Sequence, residues 1–157
     1  MRQFAVLVGW FGVACASTAV PVVVRGAGAA ELVLAVRELQ AAAGVEPGCF
    51  YVGDAVDLRE LRRRLGGDLL AAGVADHGDV IIVVVRPAGE RLSRIEVATE
   101  EGVDVLTLSA RATEPAAGQP PSVWLLRLQH RPHQLAVVVR SATGRGEQTV
   151  GIFDPQP

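Results

Sequence analysis

The chain has 157 residues, 15 basic and 17 acidic side chains and a formal net charge of −2, which is the size of one domain. Half of it is apolar but only 4% is aromatic, so its core is to be built from Val, Leu, Ile and Ala; a domain of this length buries roughly two-thirds of its unfolded surface and needs no disulfide or metal to do so. Every basic residue is Arg, and the near-neutral balance argues against nucleic acid as the main partner, because neutralising phosphates takes a clustered excess of positive charge. The single cluster, Arg62-Arg63-Arg64, falls on a predicted helix and reads as a solvated face.

Residues 4–24 carry no charge, and three fates fit them. In a cleaved signal, Arg2 supplies the positive start, residues 4–13 the apolar run, and Ala14-Cys15-Ala16 or Ala27-Gly28-Ala29 the small-residue cut. In a lipoprotein, "GVAC" makes Cys15 the lipidation site, with Gly12 where such signals usually carry Leu. A retained helix needs roughly 20 apolar residues, which this stretch reaches, although Gly9, Gly12 and Pro21 interrupt it and Arg25 balances Arg2. The first two fates export the chain, so an extracytoplasmic location (periplasmic, envelope-associated or secreted) is expected, with membrane association through this segment. The domain plan is residues 1–29 as signal or anchor with linker, 30–153 as one α+β domain, and 154–157 as a tail. With Cys15 removed or lipidated, Cys49 stands alone; it precedes the strand-like "FYV" and is expected to be a buried structural thiol.

"GAGAAELVLAVRELQAAAGVEPG" reads first as a helix, because Leu32, Ala35, Val36 and Leu39 form one stripe; a strand alternating Leu32, Leu34 and Val36 is the alternative. "FYV" is a short strand. "GDAVDLRELRRRLGG" is the clearest helix: Asp54 caps it, Asp57 sits at its positive end, and Val56, Leu58, Leu61 and Leu65 make its apolar face. "DVIIVVVR" is a continuous β-branched run, as in a strand buried on both faces. "RLSRIEVATEEGVDVLTLSARATEP" alternates around Gly102 and predicts a β-hairpin, with Val103, Val105, Thr107 and Ser109 on one face and Leu106, Leu108 and Ala110 on the other. "PAAGQPPS" is a loop, "VWLLRLQ" and "QLAVVVRS" are strands joined by "HRPH", and "EQTVGIF" is a last strand. Short connections favour antiparallel neighbours. The expected fold is therefore α+β: a curved antiparallel sheet of five to six strands with one main helix packed against it.

Few groupings carry chemistry. Asp76, His77 and Asp79 in "ADHGD" are close enough to ligate a metal or hold a base, in a turn where such residues also serve geometry alone. His130 and His133 sit in a loop that Pro132 keeps from being helical. "GAGAA" lacks the third Gly of a dinucleotide fingerprint, "SATGRGEQ" lacks the end of a P-loop, and Ser122 lacks the G-x-S-x-G context of a nucleophile elbow. No catalytic, cofactor-binding or metal residue is assigned, and no cofactor is expected. A possible interaction surface lies at Pro120, Pro121 and Trp124, where an aromatic follows a Pro-rich loop; Trp124 also starts an apolar strand and fits an inward position.

The order of "DLRELRRRLG", "DVIIVVVRPAGE", "SRIEVATEEGVDVLTLSARATEPAAGQPPS" and "LAVVVR", covering roughly residues 45–140, resembles the C-terminal domain of the protease-complex accessory subunit PrcB, found in exported bacterial proteins and lipoproteins. "GERLSRIEV" departs from that family, which commonly has a Gly-Gly-Tyr-like turn after the buried strand. The resemblance implies a non-catalytic extracytoplasmic accessory or interaction domain and carries no catalytic residues with it. The leading expectation is thus an exported domain that binds another envelope protein, through a sheet edge or the loop at residues 115–122. The alternative is a small metal-dependent hydrolase using His77, Asp79, His130 and His133.

Overall fold

A computed structural model describes residues 23–25, 32–42, 44–65, 80–141 and 146–154. Within them lie, in chain order, β1 (Val23–Arg25), β2 (Val33–Gln40), β3 (Gly48–Val52), α1 (Ala55–Leu65), β4 (Val80–Arg86), β5 (Glu90–Glu100), β6 (Val103–Ala112), β7 (Ser122–Leu128), β8 (Leu135–Arg140) and β9 (Glu147–Phe153). The fold is α+β, as expected. Its strands form two sheets in place of the single sheet foreseen: one in the order β2-β7-β4-β3, the other in the order β5-β6-β8-β9 with the short β1 added to its β5 edge.

Three layers follow from where the side chains point. On β4, Val80, Ile82 and Val84 face the second sheet and pack with Leu92, Ile95, Leu106, Leu108, Val137 and Trp124. The intervening Ile81, Val83 and Val85 face α1 and pack with Leu58, Leu61 and Leu65. The sheet containing β4 is thus the middle layer, and its run of apolar β-branched residues is the pattern of a strand covered on both faces. All seven residues of β4 are buried.

Helix α1 starts as its residues dictate. The Asp54 carboxylate accepts the Asp57 N–H at 2.9 Å, and the Asp57 carboxylate reaches back to the Gly53 N–H at 3.2 Å, so two donors at the helix start are satisfied reciprocally. The three arginines of its last turn lie near the negative end of the helix dipole and are exposed; Arg63 and Arg64 both bond Glu60.

The β5–β6 hairpin closes through Glu101 and Gly102, both with positive φ (51° and 84°), between the paired Glu100 and Val103. This is the primed two-residue turn whose twist matches the strands it joins. The spacing of Leu92, Ile95 and Val97, all buried, breaks strict alternation at one point. There the register slips between Leu92 and Arg94, and the extra residue, Ser93, bonds the Ser109 carbonyl at 2.9 Å. The bulge restores the inward aim of Ile95.

Two expectations are corrected. Residues 33–40 are a strand, not a helix: they pair with β7 from Val33↔Leu128 to Gln40↔Ser122. The apolar positions fit both periods, and a full ladder to a buried neighbour outweighs local helix preference. The second sheet is mixed rather than antiparallel, since β6 and β8 run parallel, as do β1 and β5. Between β6 and β8 the chain leaves its sheet, runs along β7 in the middle layer and returns, so the crossover that a parallel pair requires is supplied by a strand of the other sheet.

At one side the sandwich closes on itself. The edge strands β3 and β9 approach so closely that a Cβ on Gly151 would lie 3.0 Å from the Cys49 sulfur, and the Tyr51 and Phe153 rings stack across the seam with centroids 5.5 Å apart. At the other side lie β1 and β2. The proposed cut or lipidation at residues 14–16, including Cys15, lies outside the described residues. β1 falls within the stretch read as leader or linker; a cut after Ala16 keeps it and a cut after Ala29 removes it. Among the described residues no helix is long and apolar enough to cross a membrane.

Candidate functional site

One pole of the sandwich carries a cleft of about 500 Å³. It forms where strand ends from both sheets meet: the β4–β5 turn, the end of β6, and the start and end of the β8–β9 connection. The turn itself is Pro87-Ala88-Gly89-Glu90, closed by the Glu90 N–H to the Pro87 carbonyl at 3.3 Å. Gly89 at φ 85° takes the position that demands a left-handed residue. A Cβ there would also stand 2.7 Å from the Thr113 carbonyl oxygen and 3.1 Å from Pro115, so the turn and the Pro-rich loop are packed face to face. Thr113 fastens them, its N–H and hydroxyl both donating to the Gly89 carbonyl at 2.7 and 2.9 Å.

The floor of the cleft is charged. Arg86, with 9% of its surface exposed, donates from Nε to Glu90 Oε2 at 2.7 Å. Glu90 Oε1 accepts the Ser141 hydroxyl at 3.3 Å. Arg86 makes no other hydrogen bond or ion pair among the described residues, and its terminal nitrogens are not sealed from solvent. A guanidinium offers five N–H donors in a planar fork, so Arg86 lines the cleft with its Nη1/Nη2 end unused.

A second buried charge lies between the sheets. Glu38 on β2 is the cross-strand neighbour of Trp124 and is only 5% exposed. Its carboxylate meets Arg91 Nε of β5 at 2.8 Å, but the N–H does not point at the oxygen, so the contact is coulombic rather than a hydrogen bond. The indole N–H of Trp124 is also buried, with no hydrogen-bond partner among the described residues. An inward-facing charge on an edge strand is a means by which sheets discourage pairing with a stray chain, and β2 also carries a register slip between Val33 and Ala35.

The opposite pole holds the loop histidines. His130 and His133 are exposed in the β7–β8 connection, a strand length from the cleft, about 20 Å for seven-residue β4. Arg131 between them bonds the Gly53 carbonyl at 3.2 Å. Asp76, His77 and Asp79 lie outside the described residues. Among the described residues no three His, Cys, Asp or Glu side chains are grouped to hold a metal.

Burial pushes the Cys49 thiol up to about 12, against a smaller opposing hydrogen bond from the Phe50 backbone. A thiol so held is protonated at neutral pH and is a poor nucleophile. Burial likewise raises Tyr51, with Arg131 opposing.

Of the predicted interaction surface, Pro120 and Pro121 are half-buried and Trp124 is fully buried in the core. Trp124 therefore takes the inward position and presents nothing to a partner. The loop it follows is tied at both ends, at Thr113 as above and by the Ala41 N–H to the Pro121 carbonyl at 2.9 Å. Sequence reasoning passed over Arg86 and Glu90. The available signal was the pair of opposite charges flanking Pro-Ala-Gly at the end of an apolar strand, where a turn places both side chains on one rim. No family model, characterised protein or solved structure matches this chain.

Proposed function

We propose that this chain is an exported, non-catalytic accessory domain that binds another protein of the bacterial envelope, with the cleft-bearing pole as its recognition end. The observation that carries this reading is the cleft itself: a recess of about 500 Å³ floored by a nearly buried arginine whose terminal donors are unused among the described residues, and walled by the Pro87–Glu90 turn that Thr113 fastens. Concave sites with mainly apolar walls and a few fixed polar groups are the usual form of a binding site. The two bonds from Thr113 to the Gly89 carbonyl hold that turn in place, which lowers the ordering entropy that binding would otherwise cost. The resemblance to the PrcB C-terminal domain supports the extracytoplasmic accessory role, and the charge-free segment at residues 4–24 supports export, by cleavage or by a lipid on Cys15, with membrane association through that segment.

The experiment is site-specific photocrosslinking in intact cells, with a photoreactive residue at Ala112 on the cleft rim and, as the control, at Glu101 on the hairpin turn at the far end of β5–β6. A discrete adduct from position 112 and none from 101 is expected. Equal labelling from both positions, or none from either, would remove the basis for a recognition pole.

A further inference from the structure

We infer that the cleft is a carboxylate-binding site in which Arg86 receives the anion end-on; the inference rests on the recognition pole proposed above and names what it recognises. Three features select the ligand class. First, Glu90 occupies Nε of Arg86, so the remaining fork is the Nη1/Nη2 end, whose two parallel N–H groups match the two oxygens of one carboxylate. Second, the charge that the described lining residues bring to the cleft is one guanidinium and one carboxylate. A single added negative charge is shared by Arg86, whereas a phosphate dianion would place two charges beside Glu90 and be repelled. Third, the apolar part of the cleft lining is Pro87, Ala88, Ala112 and Val139, which are short and leave room for a small aliphatic group beside the anion.

The pair is also preorganised for the task. Arg86 lies at the end of the most buried strand, directly opposite buried Ser122 in the ladder. Glu90 is fixed in turn by Ser141, 51 residues away in sequence. Little side-chain freedom is left to lose when a ligand arrives, and a partly desolvated guanidinium binds a carboxylate more strongly than an exposed one.

A carboxylate of this size is offered by a free small acid or by the C-terminus of a peptide chain, and the test separates the two. The 15N-labelled full chain is titrated with sodium propionate, with N-acetyl-tetraalanine bearing a free C-terminus, and with the same peptide as its C-terminal amide. The amides of Gly89, Thr113, Ser141 and Gly146 and the Arg86 Nε–H are followed by NMR. Saturable shifts confined to these groups are expected with both acids, and at least tenfold weaker binding of the amide. Tighter binding of the peptide acid than of propionate assigns the site to a chain terminus, and equal binding assigns it to a small acid; both outcomes support the inference. Arg86→Gln should abolish the shifts. Because that change strands Glu90, Ala112→Trp provides a second variant that fills the mouth with the ion pair intact, and it should also abolish them. Equal binding of acid and amide at the rim would overturn carboxylate recognition while leaving the recognition pole standing, as would full binding by Ala112→Trp away from the cleft. The absence of any shift with either acid overturns the inference regardless of the crosslinking result.

Discussion

The buried pair of Glu38 and Arg91 gives the sharpest energetic prediction. Both carboxylate oxygens of Glu38 are sealed from solvent, and the side chain faces the Leu, Ile and Val cluster between the sheets. Its compensating charge in the structure is Arg91 Nε at 2.8 Å. Arg91→Met keeps the length and apolar stem of the side chain and removes the charge, leaving a carboxylate in an apolar interior. Stranding one member of a buried pair costs about 3–5 kcal/mol. Because a third of the Arg91 side chain is exposed, the lower end, about 3 kcal/mol, is the figure to expect. Against a total of about 5–15 kcal/mol for an ordinary domain, that is a large fraction. The double variant Glu38→Met/Arg91→Met removes the stranded charge as well as its partner, and should lie between neutral and about 2 kcal/mol more stable than the parent chain. Urea unfolding with a common slope reads both differences from the midpoints. A double variant less stable than Arg91→Met, or an Arg91→Met cost below about 1 kcal/mol, would refute the view of Glu38 as a dehydrated charge held by Arg91.

Cys49 is half-buried and its raised pKa keeps it protonated, so it should react with iodoacetamide at pH 8 well below the rate of a free thiol; labelling that matches a free thiol would contradict that raised value. Its raised value also sets a pH dependence. Between pH 9 and about 12 the unfolded chain has lost a thiol proton that the folded chain keeps. Stability should therefore fall as pH rises through that window, by at most about 1.4 kcal/mol per unit, and Cys49→Ala should reduce the slope in urea titrations. Gly89→Ala should cost about 2 kcal/mol, from a left-handed φ and from the clash with the Thr113 carbonyl, read as a lowered urea midpoint. Glu101→Asn places a residue suited to positive φ in the hairpin turn and should raise stability by about 0.5–1 kcal/mol; a loss in the same assay would mean that the turn is not of the primed type.

How much of this was legible depended on the range of the interactions. Helix α1 announces itself because its cap, its apolar stripe and its terminal charges all lie within twelve residues. The β5–β6 hairpin does so because the alternation on both arms meets a Glu-Gly turn. The two-faced burial of β4 shows in its unbroken β-branched run, yet the same run does not say that two different layers cover it. The β2 stretch reads first as a helix because Leu32, Ala35, Val36 and Leu39 satisfy a helical period, with the alternating strand as the alternative, and only pairing with β7, some ninety residues on, decides for the strand. The parallel β6–β8 pair is invisible locally for a similar reason, since the intervening strand belongs to the other sheet. The cleft draws on the ends of strands that are far apart in sequence, and the Glu90–Ser141 bond that steadies its floor spans such a gap. Trp124 was open to an inward or an outward reading at the end of a Pro-rich loop, and its place opposite Glu38 inside the sandwich settles it inward.

The functional account stands on export of the chain, and the direct measurement is the intact mass of the protein recovered from fractionated cells of a bacterial host. The account predicts recovery from the envelope or the medium. Either the N-terminus begins after Ala16, which keeps β1 for its pairing with β5, or the chain carries a diacylglycerol adduct on Cys15. A full-length chain beginning at Met1 and confined to the cytosolic fraction would contradict it.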